Sequence, residues 1–326
     1  MAVSTQSCAI GAGEPTTVPA PRIVSLLPSI TEIVVALGLG DKLVGRSHQC
    51  DFPPWVAGLP ALSASRLEPG GSAGMIHQRV NALLAAGQAM YEVDAESLWT
   101  LAPNFILTQT QCAVCAVTPG DLQAAIEAWP AAAVRPEVLA VEPEDLGQVW
   151  QAIGRVATAL GVAARGVELV TSLQTRLAAL TTATRGRERP SVVTLEWTNP
   201  LMAAGNWMPE LIEAAGGHNR IGVAGEHSAC IEMEQVAAAD PDVILLTPCG
   251  FTLEQGAAAL AELAAHPLWS GLRAVDNGAV YLIDGVHYFN RPGPRLVESA
   301  EIVAEILHPG CCDFGHRGTA WVPASV

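Results

Sequence analysis

The chain has 326 residues, half of them apolar and 15% charged, with a formal net charge of −15. That length holds two domains of ordinary size, each burying its own core, and the composition is that of a globular protein. The acid excess argues against a nucleic-acid or anionic-membrane partner, because phosphate binding needs clustered Lys and Arg. No apolar run reaches the roughly 18 residues that a membrane span needs.

Residues 1–20 read as a disordered leader. They have no cationic start and no apolar core, so they do not read as a secretory signal, and Cys8 lacks the apolar segment that precedes a lipid-anchored cysteine. The expectation is either a cytoplasmic protein or one whose natural leader is missing from this chain.

From there the chain alternates short apolar strands with helices, the pattern of an α/β fold. In a first lobe, 21–161, the strand 23–27 ends at Pro28-Ser29, and Thr31-Glu32 opens a helix that the glycines at 38–40 stop. A second strand, 43–45, delivers Arg46, Ser47, His48, Gln49, Cys50 and Asp51 into a loop ahead of Phe52-Pro53-Pro54. Residues 63–74, rich in Gly and Ser, read as irregular; 76–86 as a helix; 90–93 as extended; 96–101 as a helix; 105–107 as a strand. Gln109 and the CAVC run of Cys112 and Cys115 lie at that strand's exit. A helix through Leu122 and Ile126, a strand at 138–141 and a helix at 146–160 complete the lobe.

A long helix is predicted over 163–185, inside a spanning segment 162–188. Val167, Val170, Leu173, Leu177 and Leu180 recur every three or four residues and make one apolar stripe. Its length of roughly 35 Å crosses a whole domain.

The second lobe, 189–309, starts with a strand at 192–195 and the loop Glu196-Trp197-Thr198-Asn199-Pro200. Helices at 207–215, 232–239 and 253–265, strands at 243–246 and 280–283, and a last helix at 296–307 follow. Residues 310–326 read as a tail. Trp99, Trp129, Trp150 and Trp269, within or beside helices, read as core.

The two flanks of the long helix echo each other. ESLWTLAPNFILT (96–108) and EQVAAADPDVILLT (234–247) each place a Glu seven residues before a Pro and then open a short strand. Residues 22–38 and 191–217 each run strand, Pro-bearing loop, helix, glycine stop. Two weakly similar α/β halves joined by one long helix fit this repeat.

In parallel α/β sheets the strand exits face the ligand crevice. Those exits carry His48, Gln49, Cys50, Asp51, Gln109, Glu196, Trp197, His287, Tyr288, Phe289 and Asn290, with Tyr91 nearby. Aromatic and amide side chains along a crevice suit a large, flat, partly polar ligand. The chain has no phosphate loop, no GxGxxG after a strand and no GxSxG elbow, so the usual nucleotide and hydrolase signatures are missing and no catalysis is expected. His48, Cys50, Cys112 and Cys115 form a soft-ligand set suited to zinc or a similar metal. The competing account of them is packing or ligand contact.

Together RIVSLLPSITEIVVALGLGDKLVGRSHQCDFPP, LWTLAPNFILTQ, WTNPLMAAGNWMPELIEAAGG, EQVAAADPDVILLT and YFNRPGPR resemble the helical-backbone (class III) ABC-transporter substrate-binding proteins. Within that class, which also serves haem and ferric siderophores, the order of segments is nearest to the BtuF-like cobalamin-binding members. The similarity covers residues 22–307. It implies two Rossmann-like lobes bridged by one rigid helix, with the ligand cleft between the lobes. It also implies a monomer without intrinsic cofactor that binds cobalamin or another metal-containing macrocycle and hands it to an ABC permease and ATPase. It points to a periplasmic or other extracytoplasmic location, which the leader does not match.

Segment by segment, the resemblance places residues 47–51, Trp197 and 288–290 where the family touches cobalamin. It matches Glu96 and Glu234 to the glutamates that dock each lobe onto permease arginines, the pair the internal repeat already singles out. Gln49 and Gln109 stand where the cobalamin binders carry aromatics, so a more polar pocket is expected, and neither CAVC nor HQC belongs to the basic cobalamin pattern. The rival expectation is a metal-ion, haem or siderophore binder, or a Cys/His metal or redox protein built on His48, Cys50, Cys112 and Cys115.

Overall fold

The computed structural model describes residues 21–68, 70–110, 117–130 and 133–324. The leader at 1–20 and the Cys112/Cys115 pair lie outside them. In the first lobe the fully buried strand β1 (Ile23–Ser25) runs almost directly into α1 (Pro28–Ala36). That helix starts three residues before Thr31-Glu32, because Pro28 takes the first helical position, where its missing N–H leaves no bond unmade. β2 (Leu43–Arg46), β3 (Ser63–Ser65), α2 (Ala73–Ala85), β4 (Tyr91–Val93), α3 (Ala95–Leu101), β5 (Phe105–Gln109), α4 (Pro119–Glu127) and β6 (Glu137–Val141) follow. The sheet order is β2-β1-β5-β6, all parallel. The stretch expected to be irregular contributes β3, which pairs antiparallel with β4.

The bridge is α6 (Ala163–Thr184), 22 residues long. Beside it runs α5 (Leu146–Ala159), joined to it through Gly161 and Val162 as a helical hairpin. The two approach so closely at Gly166 that a Cβ there would lie 2.5 Å from that of Ala157. The backbone contact narrows the apolar stripe: Gly166, Leu173 and Leu180 are buried, whereas Val167, expected on the stripe, is 68% exposed one residue round from the contact. Arg165 donates to the Leu37 carbonyl of the first lobe (3.1 Å), and Arg176 bonds both oxygens of Glu301 in the second (2.9 and 3.1 Å), so the rod is tied to both lobes. α5 also crosses: the Leu146 N–H donates to Glu210 of the second lobe (2.7 Å), while Ile153, Val156 and Ala157 pack in the first lobe's core.

The second lobe holds β7 (Ser191–Thr198), β8 (Leu201–Ala203), α7 (Met208–Ala214), β9 (His218–Asn219), β10 (Ala229–Cys230), α8 (Met233–Ala239), β11 (Val243–Leu246), α9 (Leu253–Ala264), α10 (Arg273–Asp276), β12 (Val280–Ile283), α11 (Leu296–Leu307) and β13 (Trp321–Pro323). Its parallel run β9-β7-β11-β12 repeats the first sheet strand for strand. α3 and α8 also match, each ending on a left-handed residue (Ala102 at φ 42°, Asp240 at φ 36°) just before a proline. β8 and β10 extend one edge antiparallel, and β13 extends the other.

Residues beyond 310, read as a tail, therefore complete the sheet. The buried Glu305 carboxylate of α11 holds them, accepting from the Trp321 indole N–H (2.7 Å) and from the backbone N–H groups of Phe314 and His316. Trp129 and Trp269 are buried as expected, but Trp99 is 39% exposed on α3, edge-on to Trp129. Among the described residues no helix is long and apolar enough to cross a membrane.

The two interiors interlock. Val297 of α11 packs with Ile30, Ile33 and Val34 of α1, and Leu146 and Val149 of α5 pack within the second lobe's core.

Candidate functional site

The strand exits of the two lobes meet face to face at two patches. At the first, the loop after β12 carries Asp284, His287, Tyr288 and Arg291 towards α1 and the loop after β2. Arg291 donates to Asp51 through both terminal nitrogens (2.7 and 3.0 Å) and to Glu32 of α1 (3.1 Å). His287 lies between Asp284 of its own lobe (Nδ1 to Oδ2, 2.7 Å) and Asp51 of the other (Nε2 to Oδ2, 3.4 Å). The Arg295 guanidinium sits 4.1 Å from the Phe52 ring of the first lobe and 4.4 Å from the Tyr288 ring of the second, so one cation contacts aromatic faces from both sides. Gly293 permits this approach, since a Cβ there would come within 3.2 Å of the Ser29 carbonyl oxygen.

These groups perturb one another. Burial pushes Glu32 up to about 7, against the opposing pull of Arg291 and Arg295. Burial also acts to raise Asp51, but hydrogen bonds from His287 and Arg291 prevail and hold it well below the usual carboxylate range. His287 is raised to about 9, first by its bond to Asp284 and then by Asp51. Glu32 Oε2 and Arg295 Nη1 are buried with no hydrogen-bond partner among the described residues, and Arg295 Nη1 lies 3.9 Å from Glu32 Oε1.

At the second patch Ala73 and Ile76 of α2 pack with Phe251, Ala259 and Trp197 of the other lobe. Trp197 is edge-on to Phe251 at 5.2 Å and donates its indole N–H to the Asn199 carbonyl (3.0 Å). Gly74 lies against Asn199, where a Cβ would fall 2.7 Å from the amide nitrogen. The lobes are thus closed on each other through their own side chains.

Of the sequence candidates, Asp51 and Tyr288 lie at the first patch and Trp197 at the second. The remaining candidates take varied places. His48 is half-buried, its Nδ1 2.9 Å from Ser63 Oγ and its ring 5.5 Å from that of Tyr91, and burial lowers its pKa. Gln49 is exposed, and Gln109 is 4% exposed at the end of β5. Glu196 accepts from Ser228 Oγ (2.7 Å), and burial raises its carboxyl. Asn290 donates to the Gly285 carbonyl (3.1 Å), bracing the loop.

Phe289 and Cys50 pack inward. Phe289 is 1% exposed at φ 64°, with its carbonyl accepting the Trp207 indole N–H (2.7 Å) within the second lobe's core. Cys50 is 1% exposed, with Thr31 Oγ1 3.0 Å and Ser47 Oγ 3.3 Å from its sulfur, and burial raises its thiol. Among the described residues no three His, Cys, Asp or Glu side chains form a group that could hold a metal ion. Glu96 and Glu234 are both exposed at the second position of the matched helices α3 and α8.

Glu32, Arg291 and Arg295 were given no site role from the sequence, and His287 was placed only at the exit of the strand 280–283. The visible signals were a carboxylate inside an apolar helix stripe and two arginines flanking Pro-Gly-Pro, but nothing in a sequence pairs charges 259 residues apart.

Comparison with known proteins agrees with this architecture. The chain is 26% identical to the vitamin B12-binding protein of Vibrio cholerae over 306 residues, covering 89% of this chain and 90% of that protein. It is 25% identical over 296 residues to the uncharacterized ABC transporter substrate-binding lipoprotein YvrC of Bacillus subtilis, covering 88% and 80% respectively. Among solved structures it is similar to the periplasmic heme-binding protein RhuT of Roseiflexus sp. RS-1, with a TM-score of 0.64 and 26% identity over 89% of this chain and 98% of that one. The family model for periplasmic binding proteins matches residues 23–286, and the chain belongs to that family.

Proposed function

We propose that this ABC substrate-binding protein holds a cobalamin-like corrinoid between its lobes and hands it to an importer, without turnover and without a cofactor of its own. The observation that carries this is the pair of interlobe patches: Phe52 and Tyr288 with Asp51, His287, Arg291 and Arg295 at one, and Trp197 with Phe251 at the other, put aromatic and ionic groups on the facing surfaces of both lobes. Apolar faces with a polar and ionic rim suit a macrocycle that is flat in its middle and amide- and phosphate-bearing at its edge. The similarity to a vitamin B12-binding protein supports the same ligand class. Glu96 and Glu234 sit at equivalent, exposed places on the two lobes and suit docking onto a basic permease surface.

Haem is the second reading, favoured by the likeness to a heme-binding protein at the same level of identity. Equilibrium dialysis against cyanocobalamin, haemin and a ferric siderophore tests both. Cyanocobalamin is expected to be retained, and Trp197→Ala to weaken it roughly tenfold, the loss of one buried aromatic contact. Retention of haemin alone supports the second reading; retention of none overturns both.

A further inference from the structure

Two adjacent cysteines lie outside both interlobe patches. Cys311 and Cys312 occupy the turn that follows α11, where the His308 carbonyl accepts both of their backbone N–H groups (3.0 and 3.3 Å) and Gly310 turns the chain at φ 80°. The turn brings the two sulfurs within 3.7 Å of each other. Cys312 is 6% exposed in the second lobe's core, and Cys311, half-buried, points its thiol at the Ala183 carbonyl in the last turn of α6 (3.7 Å). Beyond them Glu305 holds Phe314, His316 and Trp321, so the turn is pinned on both sides.

A disulfide does not suit this pair, because consecutive Cα atoms lie about 3.8 Å apart, against about 4.4–6.8 Å across ordinary disulfides. With about 2.3 Å per bond to sulfur, a linear two-coordinate ion would hold its thiolates about 4.6 Å apart, and a near-tetrahedral centre about 3.8 Å apart. The observed 3.7 Å matches the second. A tetrahedral metal ion needs further ligands, and among the described residues no third His, Cys, Asp or Glu joins the pair. What fits is a pyramidal centre content with two sulfurs and one carbon of its own, which is trivalent arsenic. Burial, with the Cys311 thiol and the Glu305 carboxylate, pushes Cys312 up to about 11 against the pull of Arg187, so it meets a ligand as the neutral thiol. A metal cation must drive that proton into solvent, whereas a hydroxyl on arsenic carries it away as water.

We propose that Cys311 and Cys312 form a dithiol site for monosubstituted trivalent arsenicals, the arsonous acids that carry one carbon and two hydroxyls on arsenic. On binding, both S–H bonds and both As–OH bonds break, two As–S bonds form, and two waters leave. Arsenic stays trivalent and nothing is oxidised. The site is independent of the ligand that the interlobe cleft takes.

The test titrates the reduced full chain with phenylarsine oxide, which hydrates to phenylarsonous acid, in excess mercaptoethanol. That monothiol strips arsenic from single cysteines but not from a chelating pair, and intact mass counts the phenylarsenic retained. The chain carrying Cys112→Ser and Cys115→Ser, which removes the CAVC pair, is expected to retain one phenylarsenic. Adding Cys311→Ser is expected to abolish that retention by weakening binding at least about a hundredfold, the effective-concentration advantage of two linked contacts over one. Cys312→Ala is the second variant and gives the same loss. In the otherwise wild-type chain Cys311→Ser lowers the count by one, which keeps the test independent of how the CAVC variant folds. Excess ethanedithiol releases the arsenic and returns both thiols to a thiol-reactive dye. No retention in the chain without the CAVC pair, or retention undiminished by Cys311→Ser and by Cys312→Ala, overturns the site.

Discussion

Replacing Arg291 by Leu tests the interlobe ion cluster most directly. Arg291 is 8% exposed and makes three hydrogen bonds, two to Asp51 and one to Glu32. Among the described residues its loss leaves Glu32, 2% exposed in its side chain, with only Arg295 at 3.9 Å. Breaking a buried pair by removing one partner costs about 3–5 kcal/mol.

The cost depends on pH, and its sign follows from Glu32. With Arg291 present its folded pKa of about 7 lies above the ordinary value of 4.5, so the folded state binds the extra proton. Its contribution is fully present below about pH 4.5 and falls by about 3 kcal/mol as pH rises to about 7. Without Arg291 the folded pKa climbs further and the loss continues above pH 7. The penalty of Arg291→Leu should therefore be about 3–5 kcal/mol at pH 8 and at least about 1 kcal/mol smaller at pH 5. Urea unfolding followed by tryptophan fluorescence measures both. A penalty under about 1 kcal/mol at pH 8, or one equal at the two pH values, would refute the reasoning.

His287, raised to about 9, stabilises the closed lobes fully below about pH 6.5, and that stabilisation is lost as pH climbs through 9. With 39% of the side chain exposed, solvent screening limits it to about 1 kcal/mol, which wild type should lose between pH 6.5 and 9.5 and His287→Gln should not. Gly166→Val forces side-chain carbons against Ala157 and should lower stability by about 1–3 kcal/mol, read as a lower melting temperature. Trp321→Ala removes a 5%-exposed ring and the indole bond to Glu305; a loss of about 3–5 kcal/mol is expected, with faster proteolysis after residue 310.

Local order was plain in the sequence. The long helix ends within a residue of its expected bounds, because 22 residues without Pro and with a left-handed glycine stop admit few alternatives. The repeat around Glu96 and Glu234 was legible because it recurs as a spacing, and the structure returns it as matched helices and strands. What stayed hidden is long-range. β13 is three residues long and owes its place to Glu305, and the crossing of α5 depends on Glu210, 64 residues later. Cys50 and Phe289 sat at strand exits yet turned inward, since exit position says which end of the sheet a residue occupies and not which way its side chain packs.

Val297, Leu146 and Val149 have a consequence for how the molecule comes apart. Each completes the interior of the half to which it does not belong by chain position. Dividing the gene at residue 161 would thus produce two fragments, each with apolar side chains in water and a gap where the other's should be. Heating should yield a single endotherm, and any rocking of one half against the other must turn about that common seam without opening it.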